Sequence, residues 1–173
     1  MKFDFPQVDL PCEILAWNDV TEDILNIYKQ SCRLKAGIFA ICTEGKMTAT
    51  INLIDYEIKP NDLITLLPGT IIQFRERTEK VRLCFAGFSS ECVERINLIK
   101  SMVSSFSKIT ECPIVELQED IASYLIDYFS LLARVTCDEK LSLPSEMTEV
   151  SLRSILTAVG LIYQRYSSKN HNT

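Results

Sequence analysis

The sequence predicts an α+β fold in which an antiparallel β half of about seven or eight short strands precedes three α-helices. Two observations carry this reading. Residues 45–74, GKMTATINLIDYEIKPNDLITLLPGTIIQF, alternate strand signals with turn signals more densely than any other part of the chain. From Ser89 onward the apolar period changes from two to three and four, which is the spacing of an amphipathic helix. Several short strands at near-regular spacing fit a sandwich or a small barrel.

Taken in order, Cys12 to Trp17 reads as a first strand, followed by a polar turn at Asn18–Asp23 and a short strand at Ile24–Tyr28. Arg33 to Thr43, RLKAGIFAICT, is apolar on both faces and closes at Glu44-Gly45, a turn in which glycine can take positive φ. In the next strand Met47, Ala49 and Ile51 alternate with Thr48, Thr50 and Asn52. The phase then flips, with Ile54, Tyr56 and Ile58 apolar and Asp55 and Glu57 polar, so a hairpin must turn near Asn52–Asp55. Lys59-Pro60-Asn61-Asp62 supplies a preset φ and local side-chain bonds for a turn, Leu63 to Leu67 run apolar, and Pro68-Gly69 breaks them before a strand at Thr70–Arg75. The charged cluster from Arg75 to Lys80 reads as an exposed loop, and Val81 to Phe88 returns as an apolar strand.

In the helical half, Val93, Ile96, Ile99, Met102 or Val103, and Phe106 recur at spacings of three and four. Ser89 and Ser90 stand as caps and Glu91 lies in the first turn. Pro113 interrupts this helix. A second helix over Leu117–Val135 carries Ile121, Tyr124, Leu125, Tyr128, Phe129, Leu131, Leu132 and Val135, more than one apolar face. A helix lying alone on a sheet needs one stripe, so the excess implies a second covering surface, from another helix or another chain. Pro144 sits in a loop at Thr136–Ser145. The last helix presents Leu152, Ile155, Leu156, Val159, Ile162, Tyr163 and Tyr166 on one side, and the polar tail 167–173 reads as a disordered end or linker. The expected organisation is therefore a β half over 1–88, a helical subdomain over 89–166 and the tail.

A chain of 173 residues fits one domain, or a domain with an appended subdomain. It is 47% hydrophobic and 24% charged with a net charge of −5, so nothing in its composition offers the clustered positive surface that phosphate backbones require. The opening residues, MKFDFPQVDLPCEILAW, carry acids and prolines where a signal peptide needs a basic region and an unbroken apolar run. No uncharged apolar stretch reaches the length of about 20 residues that spans a bilayer. The seven cysteines contain no C-x-x-C pair and read as reduced core thiols of a cytoplasmic protein.

Chemistry-bearing patterns are sparse. The single histidine, His171, lies in the polar tail, which leaves a serine or cysteine nucleophile without a neighbouring base. Asp55 and Glu57 share one face of the hairpin, but their alternation with apolar residues is that of a solvated outer face. Lys46 after Gly45 lacks the glycine-rich run and the following hydroxyl residue of a phosphate loop. No catalytic residue and no cofactor is expected.

The stretch CTEGKMTATINLIDYEIKPNDLITLLPG resembles the N-terminal effector and dimerisation domain of AraC-type transcription regulators. Its order of hairpin, KPND turn, apolar strand and LLPG turn is similar to the small β-barrel of the cupin superfamily. With the helices, the resemblance covers Ser31 to Tyr166. It implies a cupin-like barrel that takes up a small-molecule effector, a homodimer formed through the helices after the barrel, and DNA bound only through helix-turn-helix units in residues beyond Thr173. In metal-binding cupins the ligand positions would fall here on Cys32, Leu34, Ile38 and Ile72, three of which have no donor atom, so no metal is expected. Effector contacts in the family correspond to Phe74, Leu83 and Phe85, with Gln73 and Arg82 as nearby polar candidates. The alternative for these side chains is that they fill the core. The dimer contact would fall on Ile121, Tyr124, Leu125, Tyr128 and Leu132. A stand-alone cupin-like small-molecule-binding protein or metal-free enzyme is the competing reading, and an oligomerisation scaffold without a ligand is the third.

Overall fold

A computed structural model describes residues 5–17, 28–78, 80–97, 103–137 and 143–171. The described strands form two five-stranded sheets. The first runs in spatial order β1 (Gln7–Val8), β3 (Cys32–Leu34), β8 (Ile71–Arg77), β5 (Met47–Ile51) and β6 (Ile54–Ile58). The second runs β10 (Ile114–Glu116), β7 (Asp62–Leu66), β4 (Gly37–Glu44), β9 (Arg82–Phe88) and β2 (Ile14–Trp17). Every pairing is antiparallel except the two-residue contact of β1 with β3.

Burial shows which sheet is the middle layer. All five residues of β7 are buried, as are Gly37–Cys42 of β4 and Leu83–Phe88 of β9. Ile38, Ala40, Ile64, Leu66, Leu83 and Phe85 join a cluster with Leu34, Met47, Ala49, Ile51, Ile58 and Ile72 of the first sheet. Their neighbours Phe39, Ile41, Leu63, Cys84, Ala86 and Phe88 pack with the helices instead. Because the second sheet is covered on both faces, its strands read as unbroken apolar runs. The outer face of the first sheet is open, so β5 keeps its alternation, with Met47, Ala49 and Ile51 buried and Thr48 and Thr50 half-exposed. Within the helix-side core Phe39 and Phe88 meet edge to face at 6.4 Å, and each buried ring contributes about 1.5–3 kcal/mol.

Among the described residues four helices cover the middle sheet: α1 (Ser90–Arg95), α2 (Val103–Glu111), α3 (Glu119–Cys137) and α4 (Ser145–His171). α3 lies across β2 and β9, with Ala122, Leu125, Phe129 and Leu132 directed into the core. Tyr163 of α4 is buried, and its hydroxyl donates to the carbonyl of Cys112 at 2.6 Å. Arg95, at the end of α1, pairs with Glu13 beside β2 at 2.7 Å and with Glu149 of α4 at 2.5 Å, tying sheet and helices at one edge.

The expected hairpin is present. β5 and β6 pair from Met47↔Ile58 to Ile51↔Ile54, leaving a two-residue turn in which Asn52 and Leu53 have φ of 49° and 69°. Positive φ at both positions gives the turn the twist of its strands. Gly45 has φ of 81°, and a Cβ there would lie 2.1 Å from the carbonyl oxygen of Lys80, so no other residue fits that turn.

Several boundaries differ from the sequence reading. The single strand expected over Arg33–Thr43 is two, because the chain leaves the first sheet after Leu34 and enters the second at Gly37. The exposed loop expected from Arg75 begins later, since β8 continues to Arg77. β1 and β10 were not anticipated; each is too short to show a period. The first expected helix is interrupted, with α1 ending at its cap Ile96 and Asn97 taking φ of 54°. Ile99 and Met102 lie outside the described residues, as does the turn expected at Asn18–Asp23 and all but Tyr28 of the strand expected at Ile24–Tyr28. α4 extends past Tyr166 to His171, into the stretch read as a disordered tail. Among the described residues the strands pair as two separate sheets and no ladder joins them into a closed ring. No described helix is long and apolar enough to cross a membrane.

Candidate functional site

The two sheets do not fill the space between them. A cavity of about 270 Å³ remains, walled by Leu34 of β3, Ile38 and Ala40 of β4, Ile64 and Leu66 of β7, Ile72 and Phe74 of β8, and Leu83 and Phe85 of β9. The period of two along each strand places these side chains on the inner faces. Leu15 of β2 and the segment Val8–Pro11 form another part of the wall, and Tyr28 completes it, its ring meeting that of Phe74 edge to face at 5.6 Å.

The N-terminal segment is fastened at several points. Arg33 and Lys35 donate backbone N–H bonds to the carbonyls of Pro6 and Val8, both at 2.8 Å. Leu10 packs so closely on β9 that a Cβ on Gly87 would come within 2.8 Å of its Cδ1. Asp9 turns its carboxylate to the start of α1, accepting from the Ser90 N–H at 3.0 Å and the Ser90 hydroxyl at 2.5 Å.

Electrostatically the wall is almost featureless. Among the described residues no lysine, arginine or histidine lines it, and its one charged side chain, Asp9, is engaged by Ser90. The thiol of Cys42, in the same apolar cluster, is pushed up to about 11 by burial, and burial also raises that of Cys32. On the opposite face of the middle sheet Cys84 is pushed up to about 12 by burial. These thiols stay protonated at neutral pH and lack the thiolate character of nucleophiles or metal ligands. Such a space admits apolar surface readily and resists an isolated charge, whose desolvation nothing in the wall offsets.

Of the five candidate contact residues, Phe74, Leu83 and Phe85 line the cavity, whereas Gln73 and Arg82 do not. Strand alternation is the reason: with Phe74 and Leu83 facing inward, their immediate neighbours must face out. Gln73 has a different role. Its amide donates to the carbonyl of Lys29 at 2.9 Å and accepts from the Ser31 hydroxyl at 3.2 Å, holding down the segment that carries Tyr28. Arg82 is exposed and pairs with Glu44 at 3.4 Å. Leu34, Ile38 and Ile72, read above as former metal-ligand positions, all line the cavity. Leu10, Leu15 and Tyr28 were not singled out, and only the phase of Ile14-Leu15-Ala16 offered a signal. Asp55 lies on the exposed outer face, where it accepts from the Thr50 hydroxyl at 2.6 Å and pairs with Arg75 at 3.4 Å.

A second feature lies between α3 and α4, a groove of about 300 Å³ that includes Leu117, Ile121, Tyr124, Leu161, Ile162 and Arg165. Tyr124 and Leu161 are 68% and 56% exposed. Of the expected dimer contacts, Leu125 and Leu132 are instead 2% and 5% exposed, within the chain's own core, and Ile121 and Tyr128 are half-buried against it. Tyr124 is the exposed member of the expected set, and with Leu131, seven residues on, it marks the outward stripe of α3.

No protein-family model matches the chain, and no curated protein matches it. Among solved structures it is similar to the AraC-like transcriptional activator CuxR, with a TM-score of 0.47 and 9% identity over 84% of this chain and 47% of that one. It is also similar to ToxT from Vibrio cholerae, with a TM-score of 0.39 and 10% identity over 92% of this chain and 54% of that one. An apo form of a ToxT variant from Vibrio cholerae gives 0.42 and 12%, over 90% and 55%. The chain spans about half the length of each.

Proposed function

We propose that the chain is the sensor and dimerisation domain of an AraC-type transcription regulator, a non-catalytic cytoplasmic protein that takes a small apolar effector into its cupin-like interior. The observation that carries this reading is the apolar cavity between the sheets, walled by Phe74, Leu83 and Phe85, in a chain whose residues 42–69 resemble the family's effector domain. The helices supply the second half of the proposal: two copies join through the exposed face around Tyr124 and Leu161. DNA contact falls to a helix-turn-helix part outside these residues, because a chain of net charge −5 with its 18 lysines and arginines scattered offers no clustered positive surface to displace phosphate counterions.

The test combines composition with size. Solvent extraction of the purified protein followed by mass spectrometry is expected to release an apolar small molecule, and light scattering is expected to give a dimer. An empty, monomeric protein would overturn the reading. The same cavity also favours a stand-alone binding protein. Fusion to a helix-turn-helix head that is monomeric by itself separates the two, since only a dimerising sensor brings a pair of heads onto paired half-sites.

A further inference from the structure

We propose that the molecule taken up between the sheets is uncharged and bears one hydrogen-bonding group, which the hydroxyl of Tyr28 recognises. The inference rests on the reading of this cavity as a ligand site and adds the chemistry of what enters it.

Three observations combine. First, the described wall contains no cation, and its single anion, Asp9, is turned to Ser90, so neither a carboxylate nor an ammonium ligand meets an opposite charge. Second, Tyr28 is the remaining polar side chain of that wall, and within the described residues its hydroxyl makes no hydrogen bond. A phenol on a cavity wall with no partner in the chain is left free to bond what fills the cavity. Third, the ring is held in place. It meets Phe74 edge to face, the Phe74 N–H donates to the Tyr28 carbonyl at 2.8 Å, and Gln73 anchors the carbonyl of the next residue. Burial and the neighbouring Cys32 thiol raise the Tyr28 pKa, so the group stays protonated and serves as a donor at neutral pH.

Size sets a further limit. A cavity of about 150 Å³ accepts benzene, so the 270 Å³ here suits a molecule of one or two rings, or an aliphatic compound of similar bulk. The fit is to a small phenol, alcohol, ketone or ester rather than to a sugar, whose many hydroxyls would be left without partners.

Calorimetric titration of the full chain at pH 7 with phenol, toluene and benzoate tests this. Toluene and phenol have nearly the same shape, and benzoate adds a charge. Both neutral probes are expected to bind and benzoate to give no measurable heat. In Tyr28→Phe, phenol is expected to weaken by roughly three- to tenfold, the worth of one hydrogen bond, while toluene binds as before and so reports an intact cavity. Phenol binding unchanged in Tyr28→Phe, or benzoate binding as tightly as phenol, would overturn the assignment of Tyr28 while leaving the cavity a ligand site. Failure of every probe to bind would overturn the cavity reading itself, and the proposal with it.

Discussion

The carboxylate of Asp9 accepts two hydrogen bonds from Ser90, one from the backbone N–H at 3.0 Å and one from the hydroxyl at 2.5 Å, across 81 residues of sequence. This joins the segment that walls the cavity to the first turn of α1, where backbone N–H groups lack helical partners and an anion is favoured. Ser89, the residue before, caps the same turn by accepting from the Cys92 N–H. Partial burial of Asp9 alone would raise its pKa, but the bonds from Ser90 and from the Leu10 N–H outweigh it and leave the carboxylate below its ordinary value. A folded pKa lower than the unfolded one contributes stability above the unfolded value, and that contribution is lost as pH falls through the folded value. Asp9→Ala is therefore expected to destabilise at pH 7, by no more than about 1 kcal/mol because the group is solvent-exposed, and to leave stability unchanged near pH 2. Denaturant titration at the two pH values checks this, and hydrogen exchange of the Leu10 and Ser90 amides should quicken in the same variant. Equal losses at both pH values would show that the ionised carboxylate contributes nothing beyond its neutral form.

Asp62 presents the opposite sign. It is 3% exposed at the start of β7, where one oxygen accepts from the Lys59 N–H at 2.9 Å. Desolvation raises its pKa above the ordinary value of 3.8, the Lys59 N–H and charge pull it down, and Glu116 and Glu57 push it up again, with a net rise. Stability from such a group is present below the unfolded pKa and lost as pH rises through the folded one, so the ionised form is a burden at neutral pH. Asp62→Asn keeps an acceptor for the Lys59 N–H and removes the charge. It is expected to raise the unfolding midpoint at pH 7 and to converge with the parent as pH falls toward 3.8. A lower midpoint at pH 7 would show that attraction to Lys59 outweighs the desolvation.

The fold was legible where one face of an element meets water and obscure where both are covered. β5 and β6 could be read from Thr48, Thr50, Asp55 and Glu57, because the outer face of their sheet is solvated and the alternation survives. β4 and β7 lie in the middle layer, so their apolar runs carry no phase and the change of sheet between Leu34 and Gly37 left no mark. The break after α1 was hidden because the apolar spacing from Val93 and Ile96 continues toward Phe106, while the left-handed Asn97 stops the helix. Phe74, Leu83 and Phe85 stand on two of the strands that wall the cavity, but Gln73 and Arg82 were grouped with neighbours of opposite facing. Tyr28 was missed because it lies in the turn at residues 28–30 ahead of β3, where no period can reveal which way a side chain points.

Thr65 supplies a sharper test of packing. It is 1% exposed in β7, and among the described residues its hydroxyl has no hydrogen-bond partner. Burying a hydroxyl unpaired forfeits its hydration, at about 1–3 kcal/mol, whereas an apolar group of the same shape carries no such penalty. Thr65→Val keeps the branched shape that suits a strand and is expected to stabilise by about 1 kcal/mol, a rise in Tm of roughly 2–4 °C for a chain of this length. Thr65→Ala removes a methyl as well and should lose most of that gain. Thermal unfolding of the two variants beside the parent decides the matter: if valine were as harmful as alanine, the hydroxyl would have a partner in solution.

Association through the helices separates two stripes of α3. Leu125 is 2% exposed against the chain's own core, so Leu125→Glu places an unpaired charge in that core and is expected to cost several kcal/mol whether or not a dimer exists. It therefore reports on folding alone. Tyr124 and Leu161, 68% and 56% exposed, flank the groove between α3 and α4, and a charge at either stays in water in the single chain. If that groove is a two-fold contact, each substitution is repeated on the facing copy and places two like charges close together across the axis. Tyr124→Glu with Leu161→Glu is expected to keep the parent's Tm at low protein concentration, to within about 2 °C, since surface changes usually shift stability by less than about 0.5 kcal/mol. The same pair is expected to halve the mass measured by light scattering. Leu125→Glu should show the reverse pattern, with a Tm many degrees lower and no folded monomer. A Tyr124/Leu161 double variant that remained a dimer would place the contact elsewhere on the molecule, and a parent monomeric at all concentrations would remove dimerisation from the proposed function.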